Sequence, residues 1–224
     1  MRRRILLIVL LGAVAALSML APLAAQEASP FAELSVTAHG SQRLDLATGY
    51  TELPDGGTVV DRGSGVQLEA PWLRYREGER LEARDALAHG PFGHVSAPHL
   101  TLDLAAQQLH AEGGVVIGTE QGAVEADAVR FEAGVGWLLA YGGVRSEVPV
   151  LQAEAVWYEA DGGRLLVLPP YRYEDGPLTL RADADGAPLQ LTPAFEADGS
   201  LAGYDASTDL DDDLEARLQG VGGG

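Results

Sequence analysis

Between Gly65 and Glu174 the apolar positions fall into a phrase that returns four times. It reads Ala, then Pro or an acid, any residue, an aliphatic, any residue, and a large apolar residue. The copies are Ala70-Pro-Trp-Leu-Arg-Tyr75, Ala97-Pro-His-Leu-Thr-Leu102, Ala126-Asp-Ala-Val-Arg-Phe131 and Ala153-Glu-Ala-Val-Trp-Tyr158, starting 27, 29 and 27 residues apart. A second phrase closes thirteen or fourteen residues past each Ala, as Leu81-Glu-Ala83, Leu109-His-Ala111, Leu138-Leu-Ala140 and Leu165-Leu-Val167. The middle copies continue as Gly113-Gly-Val115 and Gly142-Gly-Val144. A fixed period near 28 residues marks an architecture of stacked repeats.

Within each repeat the apolar pattern has period two, the mark of a strand. The parity changes once per phrase. Val66, Leu68 and Ala70 share one parity, and Leu73 and Tyr75 take the other. The same break separates Val95 and Ala97 from Leu100 and Leu102, Val124 and Ala126 from Val129 and Phe131, and Leu151 and Ala153 from Val156 and Tyr158. An extra residue switches the buried side, so each strand must bend or bulge at the break. Pro71 and Pro98 stand there, where a missing N–H is tolerated. Each repeat therefore reads as strand, corner, strand, turn and a return strand such as Leu81–Ala83 or Val115–Ile117. Turns are expected at Arg76–Gly78, Ala133–Gly136 and Asp161–Gly163, and the Gly pairs are expected at hairpins. Gly recurs every dozen residues, and each would cost a helix roughly 1 kcal/mol, which excludes a helical reading.

Ahead of the repeats, Leu34–Ala38 and Arg43–Leu46 read as strands, and Leu53–Gly57 as a turn. Behind them, Leu178–Leu180 and Leu189–Leu191 read as closing strands, with hairpin turns at Asp183–Gly186 and Glu196–Gly199. From Tyr204 the chain is acidic. Thr208 could cap a short helix in which Leu210, Leu214 and Leu218 share a face, with Gly220 as its stop; the alternative is a disordered acidic tail. The fold class is all-β: an open twisted β-jelly roll or stacked antiparallel β-sandwich, or a β-solenoid, built from repeats of about 28 residues.

The start of the chain has a different character. Arg2, Arg3 and Arg4 precede an apolar run from Ile5 to Ala21, and Leu23-Ala24-Ala25 is an acceptable cleavage site. This is a secretory signal peptide over residues 1–25, with an uncleaved membrane anchor as the competing reading. The organisation expected is the leader, a β domain over 26–203 opening with a short linker at 26–30, and an acidic tail over 204–224. Either reading puts the remainder outside the cytoplasm, with the membrane touched only through the N-terminal segment. The chain has 15 Arg, no Lys and 33 acids, for a formal charge of −18, or −21 if three Arg leave with the leader. No nucleic acid is expected as a partner of such a surface. The absence of Cys removes disulfides, thiolate metal sites and thiol catalysis.

Candidate chemistry is sparse. His89, His94 and His99 invite a metal, but their spacing of five alternates sides on a regular strand, and surface positions are the better reading. The acids from Asp205 to Glu215 lack the spacing of a calcium loop. No Ser lies in a nucleophile-elbow motif, and no Gly pair lies between a strand and a helix. Neither a catalytic residue, a metal ligand nor a cofactor is assigned, and the chain is read as no enzyme.

The repeats resemble those of the OstA-like proteins of lipopolysaccharide transport, the LptA/LptC type. That family repeats an Ala-Asp-x-aliphatic-x-Tyr phrase and a Leu-x-Ala-x-Gly-x-Val phrase. Ala126–Phe131 and Ala153–Tyr158 match the first best; Leu109–Val115 and Leu139–Val144 match the second. Pro replaces the acid at 71 and 98. The similarity covers roughly residues 65–175. It implies a periplasmic, open, twisted β-jelly roll whose inner trough takes the acyl chains of an envelope lipid. It also implies end-to-end pairing of edge strands with other such components or with itself.

The lipid-facing set is then Leu68, Leu73, Tyr75, Leu100, Leu102, Val129, Phe131, Val156 and Tyr158. Sequence does not separate an open groove from a filled core, since burial stabilises either by ~1.5–3 kcal/mol per side chain. The alternatives are a structural or adhesive envelope β-solenoid without lipid cargo, and a carbohydrate-active β-helix. The latter needs an outward row of acids and aromatics, which Trp72, His99, Ala128 and Ala155 do not supply.

Overall fold

A computed structural model describes residues 34–62, 66–90, 93–119, 122–132, 137–147, 150–159, 164–175, 177–195, 201–211, 214–215 and 218. The expected leader and linker, and the turns expected at 133–136, 161–163 and 196–199, lie outside these residues. The elements are β1 (Leu34–Ala38), β2 (Arg43–Leu44), β3 (Thr51–Leu53), β4 (Gly57–Asp61), β5 (Val66–Ala70) and β6 (Trp72–Arg76). Past the first corner come longer strands: β7 (Arg80–Gly90), β8 (Gly93–Asp103), β9 (Gln108–Thr119) and β10 (Gly122–Glu132). Then come β11 (Trp137–Glu147), β12 (Val150–Glu159), β13 (Arg164–Asp175), β14 (Leu178–Ala182), β15 (Leu189–Phe195) and β16 (Leu201–Ser207). All pairings are antiparallel, in one open sheet ordered β1-β4-β5-β7-β8-β9-β10-β11-β12-β13-β15-β16, with β2-β3-β6 and β14 branching from it.

The branching follows from the corners. Each of β7–β13 is folded across its middle, so the sheet doubles into two facing layers. The first layer holds β1, β4, β5, one half of each of β7–β13, and β14. The second holds β2, β3, β6, the other halves, β15 and β16. The pairings show the split: β7 meets β5 through Leu87–His89 and meets β6 through Arg80–Arg84. Likewise β13 meets β14 through Tyr171–Asp175 and β15 through Leu165–Val167. The repeat is one strand out and one strand back.

The parity breaks lie at the corners, as expected. Ala70, Ala97, Ala126 and Ala153 are each buried at the last inner position of the first layer, and Leu73, Leu100, Val129 and Val156 at the first inner position of the second. The return strands differ from expectation. They are 11–12 residues long, and the Gly pairs sit in mid-strand rather than at hairpins. Inner positions jump from Ala111 to Val115 in β9 and from Ala140 to Val144 in β11, across residues held at φ +93° and +96° and at +79° and +76°. L-residues disfavour this region by ~1–2 kcal/mol each. The neighbouring corner adds a second reason: a Cβ on Gly113 would stand 3.1 Å from Pro98, and one on Gly142 would stand 2.6 Å from Asp127. In β7 Asp85, at φ +49°, turns the corner, and in β13 the cis Pro169-Pro170 pair does.

Four other expectations are corrected. The strand over 43–46 stops at Leu44, and Leu46 is 88% exposed. The turn at Asp183–Gly186 joins two strands that both lie along β13, so it is no hairpin. β16 extends to Ser207, past the boundary placed at 204. The helical turn at Leu214 starts after Asp211, whose carbonyl accepts from the N–H groups of Leu214 and Glu215, and not at Thr208.

Candidate functional site

The space between the two layers is the candidate site, because the apolar set converges there. Leu68, Leu73, Leu100 and Leu102 are buried in one cluster with Leu53, Leu81 and four alanines, and the half-buried Tyr75 packs against it. Val129, Phe131, Val156 and Tyr158 are buried in a second cluster with Ile117, Val144, Leu151 and Leu165. Val95 and Leu109 touch both clusters, so the apolar lining runs the length of the sheet. Of the 32 buried residues in the two clusters, 14 come from the return strands, which the choice of nine residues did not include. Their second phrase, Leu-x-Ala, carried the signal.

The trough changes along its length. In the C-terminal half Ile117, Val124, Val144 and Leu151 of the first layer face Leu138, Ala140, Val156 and Tyr158 of the second across a cavity of only about 20 Å³. That volume takes about one water. Burial there also raises the Tyr171 phenol above its usual value. At the N-terminal end the layers part. Leu34 and Val36 of β1 face Tyr75, Leu81 and Leu104 across a cleft of about 410 Å³, whose rim carries Arg76, Glu77 and Arg80. Arg76 pairs with Glu79, and Arg80 with Glu82 at 3.0 Å. Each of the two arginines at the mouth is thus paired with a glutamate. Leu34 and Val36 were legible as strand residues. Their place opposite Tyr75 was not, because the contact joins residues some forty positions apart.

Behind the mouth the first layer is held by a polar clasp. Asp55 accepts hydrogen bonds from the Ser41 hydroxyl at 2.6 Å and the Ser41 N–H at 2.9 Å, and these hold its carboxyl below its ordinary value. A second cleft of about 660 Å³ opens at the hairpin edge of β10–β12, rimmed by Glu125, Arg145 and Glu147.

The remaining candidates separate. His89 and His94 lie 6.3 Å apart, whereas His99 falls beyond the corner in the second layer. Among the described residues no group of three metal-ligating side chains forms. Ala128 and Ala155, expected outward, are 7% and 6% exposed. Both pair across strands with Tyr141, whose hydroxyl reaches His110 of β9 at 3.1 Å and so carries the ring over β10. Trp157, also outward, is 5% exposed, inside a third cluster with Leu166 and Leu214. No described helix is long and apolar enough to cross a membrane.

No known family profile matches the chain. No curated protein matches it either. Among solved structures it is similar to LptH of Pseudomonas aeruginosa, the LptA-homologous periplasmic component of a lipopolysaccharide transport device, at 11% identity and a TM-score of 0.25, over 80% of this chain and 96% of that one. At that identity and score the likeness carries no weight for function.

Proposed function

We propose that this chain is a non-enzymatic, OstA-like lipid carrier of the periplasm, a bridge or shuttle that moves lipopolysaccharide or another envelope glycolipid between the inner and outer membranes. The observation that carries this reading is the N-terminal mouth: an open cleft between two layers, with Leu34, Val36, Tyr75, Leu81 and Leu104 inside it and Arg76, Glu77 and Arg80 at its rim. Acyl chains enter against Leu34, Val36, Tyr75 and Leu104, and an anionic head group stays at the rim near Arg76 and Arg80. Beyond the mouth the layers are in contact, so passage requires them to separate. That separation exposes apolar surface only while a chain is there to cover it. The strands outermost among the described residues, β1 and β2 at one end and β14 and β16 at the other, are the edges a neighbouring component would meet by strand addition.

The close contact of the layers over β9–β12 favours a second reading, a structural envelope β-solenoid with no lipid cargo. One experiment separates them. The chain is expressed with its own first 25 residues, recovered from the cell envelope, and examined by native mass spectrometry with lipid extraction. Stoichiometric acyl lipid that is lost in Leu104→Asp, with the circular dichroism unchanged, supports the carrier. A lipid-free protein that also refuses a fluorescent acyl probe leaves the structural reading.

A further inference from the structure

The outer face of the second layer carries a second apolar site, away from the trough. Trp137 and Leu139 of β11, Trp157 of β12, and Leu166 and Leu168 of β13 form it, with the two indoles edge to face at 6.0 Å. The corresponding outward position of the earlier repeats holds Arg74, Thr101 and Arg130 where this one holds Trp157. The patch is covered by the chain's own C-terminal segment through Leu210, Leu214 and Leu218, of which Leu214 is 2% exposed. Asp211 fixes the entry of that segment: its carboxylate accepts from Arg164 at 2.9 Å and from the Gln190 side-chain amide at 3.1 Å.

Two features make this cover a weak one. The Arg164–Asp211 pair has one partner 57% exposed, and such pairs contribute little. The indole N–H of Trp157 is buried with no hydrogen-bond partner among the described residues. A buried donor without an acceptor weakens the docked state, and the present occupant does not supply one.

We propose that this face is a receptor groove for an apolar-acidic helix of a partner protein, and that residues 210–218 are its resident, displaceable occupant. The partner helix presents leucine-like residues at i, i+4 and i+8, an acid at i+1 for Arg164 and Gln190, and a side-chain acceptor for Trp157. The mode is helix in groove. The resident segment tunes it, because a site that is mostly occupied in cis shows an apparent affinity reduced by the fraction that is open.

The test uses the full chain and a fluorescent peptide of residues 205–224, read by anisotropy. Leu214→Asp in the chain loosens the resident segment and is expected to raise peptide affinity at least about tenfold, as expected when a tethered competitor is removed. Leu139→Arg in the same background is expected to abolish binding. Circular dichroism confirms folding, and if Leu214→Asp does not fold, Leu218→Asp, at a half-buried position, takes its place. A folded variant that binds the peptide no better than the wild-type chain overturns the proposal and makes the segment a fixed part of the fold.

Discussion

The two ends of this sheet follow the same repeat and differ in what they leave open. At the N-terminal end the layers part around Leu34, Val36 and Leu104. The outer face of the second layer there is charged: Arg74 lies 4.0 Å over the Tyr50 ring and Arg84 lies 4.3 Å over Trp72. Over β9–β12 the layers meet across about 20 Å³, with a cleft only at the hairpin edge, and the outer face from β11 to β13 is apolar and covered. The repeat fixes where a side chain points. The residue placed there decides whether that face is filled, opened or docked. The N-terminal cluster relies on alanines and on a β1 edge whose one neighbour among the described residues is β4, whereas β10–β12 are flanked on both sides by strands of 10–12 residues.

The largest effect expected from this contrast is where the layers meet. Leu151→Ala leaves a cavity among side chains that do not relax easily and is expected to cost ~2–5 kcal/mol. Leu34→Ala, at the mouth, should cost well under half as much, since its site is already partly open. Chemical denaturation of both variants measures the difference, and equal losses would erase the distinction between the ends. Next comes Leu214→Asp, which should uncover the outer patch, enhance binding of an apolar dye and cost ~1.5–3 kcal/mol from the lost burial.

Gly142→Ala should cost ~1–2 kcal/mol for its backbone alone, and more because the new methyl meets Asp127 at 2.6 Å. Gly78→Ala shares the positive φ, at +70°, but meets nothing within 4 Å, so thermal melts should rank it the milder change. Native-state hydrogen exchange should then find the slowest amides in β10–β12 and faster ones in β1 and β4.

The smallest expected effect is in acid. Hydrogen bonds from Ser41 hold the Asp55 carboxyl below its ordinary value of 3.8. A carboxyl with a lowered folded pKa contributes stability that is full above the unfolded value and is lost as the pH falls through the folded one. The amide signals of Gly40 and Ser41 should therefore shift below about pH 4, leaving the C-terminal half unmoved, and Asp55→Asn should remove that transition.

Much of this was legible along the chain. The period of the phrase, the parity break after Ala70, Ala97, Ala126 and Ala153, and Pro71 and Pro98 at the break determined an all-β stack bent at corners, because a pleated strand can bury both parities only by turning over. The leucines at 210, 214 and 218 determined a shared face by their spacing alone. The Gly pairs were misplaced because Gly-Gly is equally suited to a hairpin and to a mid-strand corner, and only the packing of Pro98 and Asp127 against them selects the corner. The tertiary structure alone decided how far the layers close, which brought β1 opposite Tyr75, Leu81 and Leu104 to form a mouth, and it alone laid the C-terminal leucines over Trp157. Spacing specifies direction within a strand, whereas closure depends on contacts between residues many strands apart, whose partners no local pattern names.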